Sequence, residues 1–292
     1  MAYLLLALKM LSDSTNTVLS KRFSRRMNTD FLHFIEYNLI NAVFAAIFLF
    51  AINGFSFSMN GATLAYSFAY AGVVVLSVSL NVLTLRRVSV YLTGLTSTLG
   101  SLVISTFFGV IVLADDVTVK GMISLALMVV AVILPYIEHF KGIGKSGILV
   151  PVLYFIIGGA ANVVTKLFTL DTRVTDSRSF FVMTNIIIAA IALSVLSAML
   201  ISKPKSAKDV LHAFAPRDVA NILSRTALSN ISSVLGIIVI AGMTLGVYTV
   251  TTSSFGIISG ALLSLIVFRE GINRATFISV VLAIASVIVS VL

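Results

Sequence analysis

Ser20-Lys21-Arg22-Phe23 closes the first long apolar segment of the chain, and Thr165-Lys166-Leu167-Phe168 closes the sixth, about 145 positions later. The correspondence continues downstream in the same order. Phe34-Ile35-Glu36-Tyr37-Asn38 in the second segment answers Phe181-Val182-Met183-Thr184-Asn185 in the seventh. Small residues at every fourth position of the fourth segment, Ser97, Ser101, Ser105 and Gly109, answer Thr252, Gly256, Gly260 and Ser264 in the ninth. Self-similarity marks a repeated architecture, and here matches in the same order, at offsets from 145 to 155 residues, divide the chain into two repeats, residues 1–140 and 146–292.

The segments themselves follow from composition. Of 292 residues only 11% are charged and 59% are hydrophobic, whereas charged residues make up roughly a quarter of a soluble domain. The mean hydropathy is +1.10. A spanning helix needs about 20 mostly apolar residues, so the chain has room for roughly ten. Apolar runs between polar punctuation predict spans at 2–20, 31–53, 63–84, 90–113, 118–138, 148–168, 179–202, 218–240, 245–267 and 274–291. Lipid offers no partner to an open backbone, so each is expected to be helical. The fold class predicted is an all-α membrane protein of ten transmembrane helices. Five is odd, so the second repeat re-enters from the opposite face and the halves are inverted. Inverted repeats mark many alternating-access secondary transporters, with substrate bound near the midplane between halves.

Other classes are disfavoured. The chain has no cysteine, which removes disulfides, thiolate nucleophiles and Cys-ligated metals. Its three histidines, His33, His139 and His212, are scattered without metal-ligand spacing. The first segment lacks the basic start and small-residue cleavage pattern of a signal peptide and reads as a span. The net charge of +9 would suggest nucleic acid in a soluble protein, but the basic residues stand mainly between apolar segments, where topology signals belong. Gly142-Ile143-Gly144-Lys145-Ser146-Gly147 matches GxGxxG by letter only, with no preceding strand. No enzymatic activity, metal, cofactor or nucleic-acid partner is expected. The expected partners are a small-molecule substrate, a coupling proton or ion, and the lipid bilayer.

Charges inside the spans carry the functional reading, because each costs about 2.5–3.5 kcal/mol at a helix centre. Lys9 and Asp13 are four apart, on one helical face with Asn16, Thr17 and Ser20. They form either a polar stripe lining a cavity or a self-neutralised i, i+4 pair. Glu36 and Asn38 lie about two turns into the second segment. Glu36 either binds cations or protons, or pairs at the interface with Lys21, Arg22, Arg25 or Arg26. Arg225 aligns with Asn221, Ser229 and Ser232 in the eighth segment; it either binds a carboxylate or phosphate or snorkels to the interface. Lys166 and its repeat partner Lys21 either anchor helix ends or contact substrate. Uncharged polar residues complete the predicted lining: Ser77 and Asn81, Thr93, Ser97 and Ser101, Asn162, Asn185, Thr249 and Ser253, with Tyr70, Tyr91, Tyr154 and Tyr248. The small-residue ladders of the fourth and ninth segments are expected chiefly to let helices pack closely.

Three stretches carry a family resemblance. They are Asn16-Thr17-Val18-Leu19-Ser20-Lys21; Leu83-Thr84-Leu85-Arg86-Arg87-Val88-Ser89-Val90 with Gly94, Gly100, Phe108-Gly109 and Asp115-Asp116; and Val267-Phe268-Arg269-Glu270. On these the chain resembles the drug/metabolite transporter superfamily, in particular its EamA-type ten-helix group. The resemblance implies two EamA-like repeats, metabolite export and a multi-pass protein of the bacterial plasma membrane. Departures accompany it: the only carboxylate of the first segment is Asp13, tryptophan is absent, and the proline common in the family's fourth and ninth helices is missing.

The expected function is a secondary transporter of a small polar metabolite such as an amino acid, amine or sugar-type compound. The alternatives are a carrier of anionic phosphate esters or nucleotide-linked sugars, and a non-transporting membrane scaffold. Orientation divides two lines of reasoning. Fourteen Lys and Arg follow segments 1, 3, 5, 7 and 9, against Lys120, Arg173 and Arg178 after the even ones. That asymmetry places both termini outside, whereas the resemblance implies cytoplasmic termini.

Overall fold

The computed structural model describes residues 2–24, 31–87, 90–114, 118–139, 145–202, 216–267, 269 and 274–291. They form ten helices: α1 (Ala2–Ser24), α2 (Phe31–Ile52), α3 (Gly61–Arg87), α4 (Val90–Ile111), α5 (Val119–His139), α6 (Lys145–Leu170), α7 (Ser177–Ser202), α8 (Pro216–Ala241), α9 (Leu245–Ile266) and α10 (Arg274–Val291). No strand occurs among the described residues. Each helix coincides with one predicted segment to within a few residues.

Among the described residues, five stretches are long and apolar enough to cross a membrane: Ile35–Ile52, Gly61–Asn81, Leu149–Leu170, Ser177–Met199 and Asp218–Ala241. Shorter apolar stretches, Thr96–Ile111, Val119–Pro135, Val247–Leu263 and Arg274–Ser286, lie in α4, α5, α9 and α10. Large apolar side chains such as Ile47, Phe68, Phe107 and Phe277 face outward. Thr63, Ser67, Thr84, Ser124, Thr249 and Ser286 are fully buried. An apolar exterior of this extent is unusual for a chain dissolved in water and fits lipid as its solvent. Several buried hydroxyls are satisfied locally: Ser67, Thr84, Thr165, Thr184 and Thr249 each donate to the carbonyl four residues earlier, the bond a helix offers to Ser and Thr.

The helices pair across the two predicted repeats. α2 packs on α7, α4 on α9 and α5 on α10, while α1 packs on α8 and α3 on α6. Between α5 and α10, Ser124 and Ser286 hydroxyls each donate to the other's carbonyl at 2.8 Å, and Ser279 donates to the carbonyl of Ala131. Backbones approach closely between α4 and α6. A side chain at Gly100 would collide with the Phe155 carbonyl, and one at Gly159 would sit 2.5 Å from the Gly100 carbonyl oxygen. The ladder glycine that faces α4 from α9 is less crowded: a Cβ at Gly256 would meet Thr98 Oγ1 at 3.5 Å.

One end of the bundle is filled by apolar side chains. Leu6 near the start of α1, Leu49 near the end of α2, Phe168 near the end of α6, Phe180 and Phe181 at the start of α7, Ile240 at the end of α8 and Leu245 at the start of α9 form one buried cluster. Phe168 stacks on Phe180 with ring centroids 4.3 Å apart, and Tyr66 meets Phe168 edge-on at 5.9 Å. The cluster gathers starts of odd helices and ends of even ones, so successive helices run antiparallel and this end carries the α2–α3, α4–α5, α6–α7 and α8–α9 connections.

Two of those connections are tied together. Thr175 N donates to Thr63 Oγ1 at 2.9 Å, Thr175 Oγ1 donates to the Ser58 carbonyl at 3.0 Å, and Ser58 N donates to Ser179 Oγ at 3.1 Å. Asn60 Nδ2 donates to the Arg173 carbonyl. The entry to this latch is set by the end of α2. Phe55 N donates to Phe50 O and Gly54 N to Ala51 O, the Schellman arrangement. Gly54 takes φ 63°, where a missing Cβ removes the steric penalty, and the Phe50 and Phe55 rings meet edge-on at 5.5 Å.

Candidate functional site

Opposite the apolar cluster, the helices separate around two cavities of about 290 and 210 Å³. The first is walled by α1 (Asp13, Ser14, Asn16, Thr17, Ser20), α3 (Asn81), α4 (Thr93, Gly94, Ser97, Thr98), α6 (Tyr154) and α9 (Thr252, Gly256, Ser259, Gly260). The second is walled by α2 (Tyr37, Asn41), α3 (Tyr70, Ser77), α7 (Phe181, Thr184, Asn185) and α8 (Arg225, Ser229, Asn230, Ser233). Asn16, Ser20 and Asn81 belong to both walls, so the cavities adjoin. Residues from eight helices meet here; α7 contributes its first turns, and Phe181 belongs both to the apolar cluster and to the second wall. This is also the end reached by the connections after the odd helices. Arg25, Arg26, Lys203, Lys205 and Lys208, and the side chains of Lys21, Arg22, Arg86 and Arg87, lie outside the described residues.

Asp13 is the only charged residue in the first wall and Arg225 the only one in the second, among the described residues. Lys9 Nζ lies 2.6 Å from Asp13 Oδ2, and Ser232 Oγ donates to Asp13 Oδ1 at 2.5 Å. The side chain of Lys9 is 14% exposed and that of Asp13 47%. The i, i+4 pairing and the cavity lining, which the sequence offered as alternatives, therefore occur together: Asp13 reaches the cavity while Lys9 lies behind it. Lys9 fits there because α8 presents Gly236, where a Cβ would meet Lys9 Cε at 3.1 Å and Tyr248 Oη at 3.2 Å.

Arg225 is buried at 8% exposure, with its guanidinium carbon 5.4 Å from the centre of the Tyr37 ring. A guanidinium over an aromatic face is stabilised by the ring quadrupole. Next to it, Thr226 Oγ1 donates to Asn41 Oδ1 at 2.5 Å, joining α8 to α2. Asn81 Nδ2 donates to Tyr154 Oη at 2.6 Å where the cavities meet.

Of the residues predicted from sequence, Asp13, Asn16, Asn81, Ser97, Asn185 and Arg225 stand in cavity walls. Asn185 also donates to the Phe181 carbonyl at 2.8 Å. Lys9, Glu36, Asn38, Asn162, Lys166 and Ser253 do not line either cavity. Asn162 Nδ2 donates to Ser101 Oγ at 2.7 Å and holds α6 to α4. Lys166 Nζ donates to the carbonyls of Ile240 and Met243 at 3.2 and 3.0 Å, placing a cation on the C-terminal end of α8, where the helix dipole favours it. Of its two readings, the helix anchor is the one this geometry matches. Ser253 is buried in α9, and Asn38 is buried in α2. Glu36 is buried at 6% exposure, and among the described residues neither carboxylate oxygen has a hydrogen-bond partner.

Ser232, Thr98, Thr184, Asn230 and Ser233 complete the polar surroundings without having been singled out as binding residues. The signal for two of them, Ser232 and Ser233, was available: with Arg225 and Ser229 they follow helical spacing on α8. The ladder residues Ser97, Thr252, Gly256 and Gly260 also face the first cavity, so part of a pattern read as packing serves as lining.

At the opposite end, Arg173 forms two side-chain bonds to Asp171, at 2.9 and 2.8 Å. Together with the Arg173 backbone N–H, they hold the Asp171 carboxyl well below the ordinary carboxylate range.

No protein-family profile matches the chain, and no curated protein matches its sequence. A crystal structure of a protein is similar in fold, with a TM-score of 0.66 at 13% identity over 99% of this chain and 95% of that one. At that identity the likeness concerns the fold.

Proposed function

We propose that the chain is a multi-pass integral membrane protein of ten spans, a secondary transporter that moves a small polar metabolite by alternating access. The observation that carries this reading is the joined pair of polar cavities at one end of an apolar-surfaced bundle whose other end is plugged and latched. A single access route beside a sealed one is what one state of an alternating-access cycle requires. No enzymatic chemistry is assigned to the chamber.

The two halves, 1–140 and 146–292, are read as inverted repeats. In support, the helix pairing exchanges the halves: α1 on α8 corresponds to α6 on α3, and α2 on α7, α4 on α9 and α5 on α10 each correspond to themselves. The α5–α10 contact adds a residue-level counterpart. Ser279 and Ser286 stand 155 positions after Ser124 and Ala131; Ser124 meets Ser286, and Ser279 meets Ala131. That is the reciprocity expected of a two-fold relation. The resemblance to EamA-type members of the drug/metabolite transporter superfamily agrees with this architecture.

Purified protein in liposomes should exchange a labelled solute from a broad panel of polar metabolites; inertness across the panel overturns the reading. The second reading, a carrier of anionic phosphate esters or nucleotide-linked sugars, is favoured by Arg225 in the second wall. It predicts that Arg225→Gln abolishes transport of the anion. Orientation follows from a side-specific reporter at each terminus. Termini outside put the open chamber on the cytoplasmic side; cytoplasmic termini put it outside.

A further inference from the structure

Several hydroxyls in the wall of the first cavity have already committed their protons. Thr17 Oγ1 donates to the Asp13 carbonyl at 2.8 Å, Ser20 Oγ to the Asn16 carbonyl at 2.7 Å and Thr252 Oγ1 to the Tyr248 carbonyl at 2.8 Å. Thr17, Ser20 and Thr252 all line this cavity. A hydroxyl has one proton and two lone pairs, so one that gives its proton to its own helix offers a ligand only acceptor oxygen.

Asp13 adds to the same surplus. An ionised carboxylate accepts at about four lone-pair sites; Lys9 and Ser232 take two, and nearly half of the side chain is exposed. Asp13, Thr17 and Ser20 follow one another at i, i+4 and i+7, on one face of α1. The other polar residues of the wall, such as Asn16, Asn81 and Ser97, carry groups that both donate and accept. Among the described residues no lysine or arginine lines this cavity, and Lys9 stands behind Asp13, neutralising it. What the wall holds in excess is therefore lone pairs and not charge.

That excess discriminates among ligands. A carboxylate or phosphate sets lone pairs against lone pairs. A quaternary ammonium has charge but no donor, and is best held by aromatic faces, of which this wall has Tyr154 and Phe255 among the described residues. A primary ammonium brings three N–H donors and no acceptor.

We propose that the first cavity is the recognition site for a primary ammonium group, held through N–H bonds to the acceptors of this wall, with Asp13, Thr17, Ser20 and Thr252 the residues that select it. The inference names a substrate class within the transporter reading and rests on that reading for the use of the cavity.

The test is calorimetry on the full-length protein in detergent with ethanolamine and its N-methyl, N,N-dimethyl and N,N,N-trimethyl forms. The series keeps the positive charge and removes one N–H donor at each step. Affinity should fall at every step, and at least tenfold from first to last. A flat or rising series overturns the proposal, as does equal binding of ethylene glycol or no binding of ethanolamine.

Growing size could also produce a fall, and Thr17→Val and Thr252→Val, singly and together, separate the causes. Valine keeps the shape of threonine, and these hydroxyls donate within their own helices, so neither change strands a donor. Each should weaken ethanolamine at least fivefold, the worth of one net hydrogen bond, and leave the trimethyl form unchanged. A series equally steep in the variants assigns the fall to size and overturns the proposal.

Counterflow in liposomes separates this site from the transporter reading. Ethanolamine that binds through its N–H donors but never crosses retains the ammonium site and removes transport. Transport of other metabolites by a protein that does not bind ethanolamine does the opposite.

Discussion

Ser232 donates its hydroxyl to Asp13 across 219 positions of sequence, at 2.5 Å, and so fastens α8 to α1 at the inner edge of the chamber. The bond works together with Lys9, which neutralises Asp13 from behind. Removing one member should therefore cost unequally. Asp13→Asn leaves the Lys9 ammonium largely buried without its carboxylate, whereas Lys9→Met leaves a carboxylate that still has access to water and to Ser232. Breaking a fully buried pair costs about 3–5 kcal/mol; the exposure of Asp13 reduces this to about 2 kcal/mol for Asp13→Asn, with less for Lys9→Met. Thermal unfolding in detergent checks the order, and a larger loss for Lys9→Met refutes it.

The contact between α4 and α6 depends on absent side chains. Gly100→Ala or Gly159→Ala places a methyl against backbone of the facing helix, an overpacking expected to cost about 1–3 kcal/mol. Gly72→Ala in α3 meets nothing within 4 Å and should stabilise by up to about 1 kcal/mol through helix propensity. Melting temperatures of the three variants should diverge in those directions.

The latch between the α2–α3 and α6–α7 connections should govern access at the plugged end. Thr175→Val removes the side-chain donation to Ser58, worth about 1 kcal/mol net. That corresponds to roughly a fivefold rise in the open population. The chain has no cysteine, so Ser67→Cys introduces a sole thiol at a fully buried position under the latch. Maleimide labelling of that thiol should accelerate about fivefold in the Thr175→Val background; an unchanged rate excludes a gating role for the latch.

Acid should loosen the same end, with a defined sign. Arg173 lowers the Asp171 carboxyl in the folded state. The resulting stabilisation is present above the ordinary carboxylate value of about 3.9 and is lost as pH falls from there through the folded value. Labelling of the Ser67→Cys thiol should stay flat from about pH 5 to 7, once corrected for thiolate fraction, and rise below about pH 4. In Arg173→Gln the folded and unfolded values approach each other, so the acid-dependent rise should shrink. An identical rise in both proteins would remove Asp171 from the account.

How much of this was legible beforehand differs by level. All ten helices could be placed from hydropathy, because an apolar run of some 20 residues has few alternatives to a helix when its solvent is lipid. The prominence of Asp13 and Arg225 was legible too, since a charge inside such a run is costly enough to need a purpose. Lys166 shows where that argument stops: the same cost is met by the carbonyls of Ile240 and Met243, partners that lie 74 and 77 positions away. Ser97 and Gly256 show a second limit, since small residues suit both helix contact and cavity wall, and spacing along one helix does not separate the two.

The sequence by itself determined the helices, their alternating directions and the few charged groups among them, because these depend on local composition and on the solvent. Only the tertiary structure decided that Asp13 and Arg225 face adjoining cavities, that Lys9 stands behind one of them, and that the opposite end is closed by Phe168, Phe180 and Phe181. The physical reason is that helices apolar on nearly every face do not announce which face meets lipid and which meets a neighbour. That choice is made by pairing between halves of the chain, across sequence separations from 61 residues for Ser101 and Asn162 to 219 for Asp13 and Ser232.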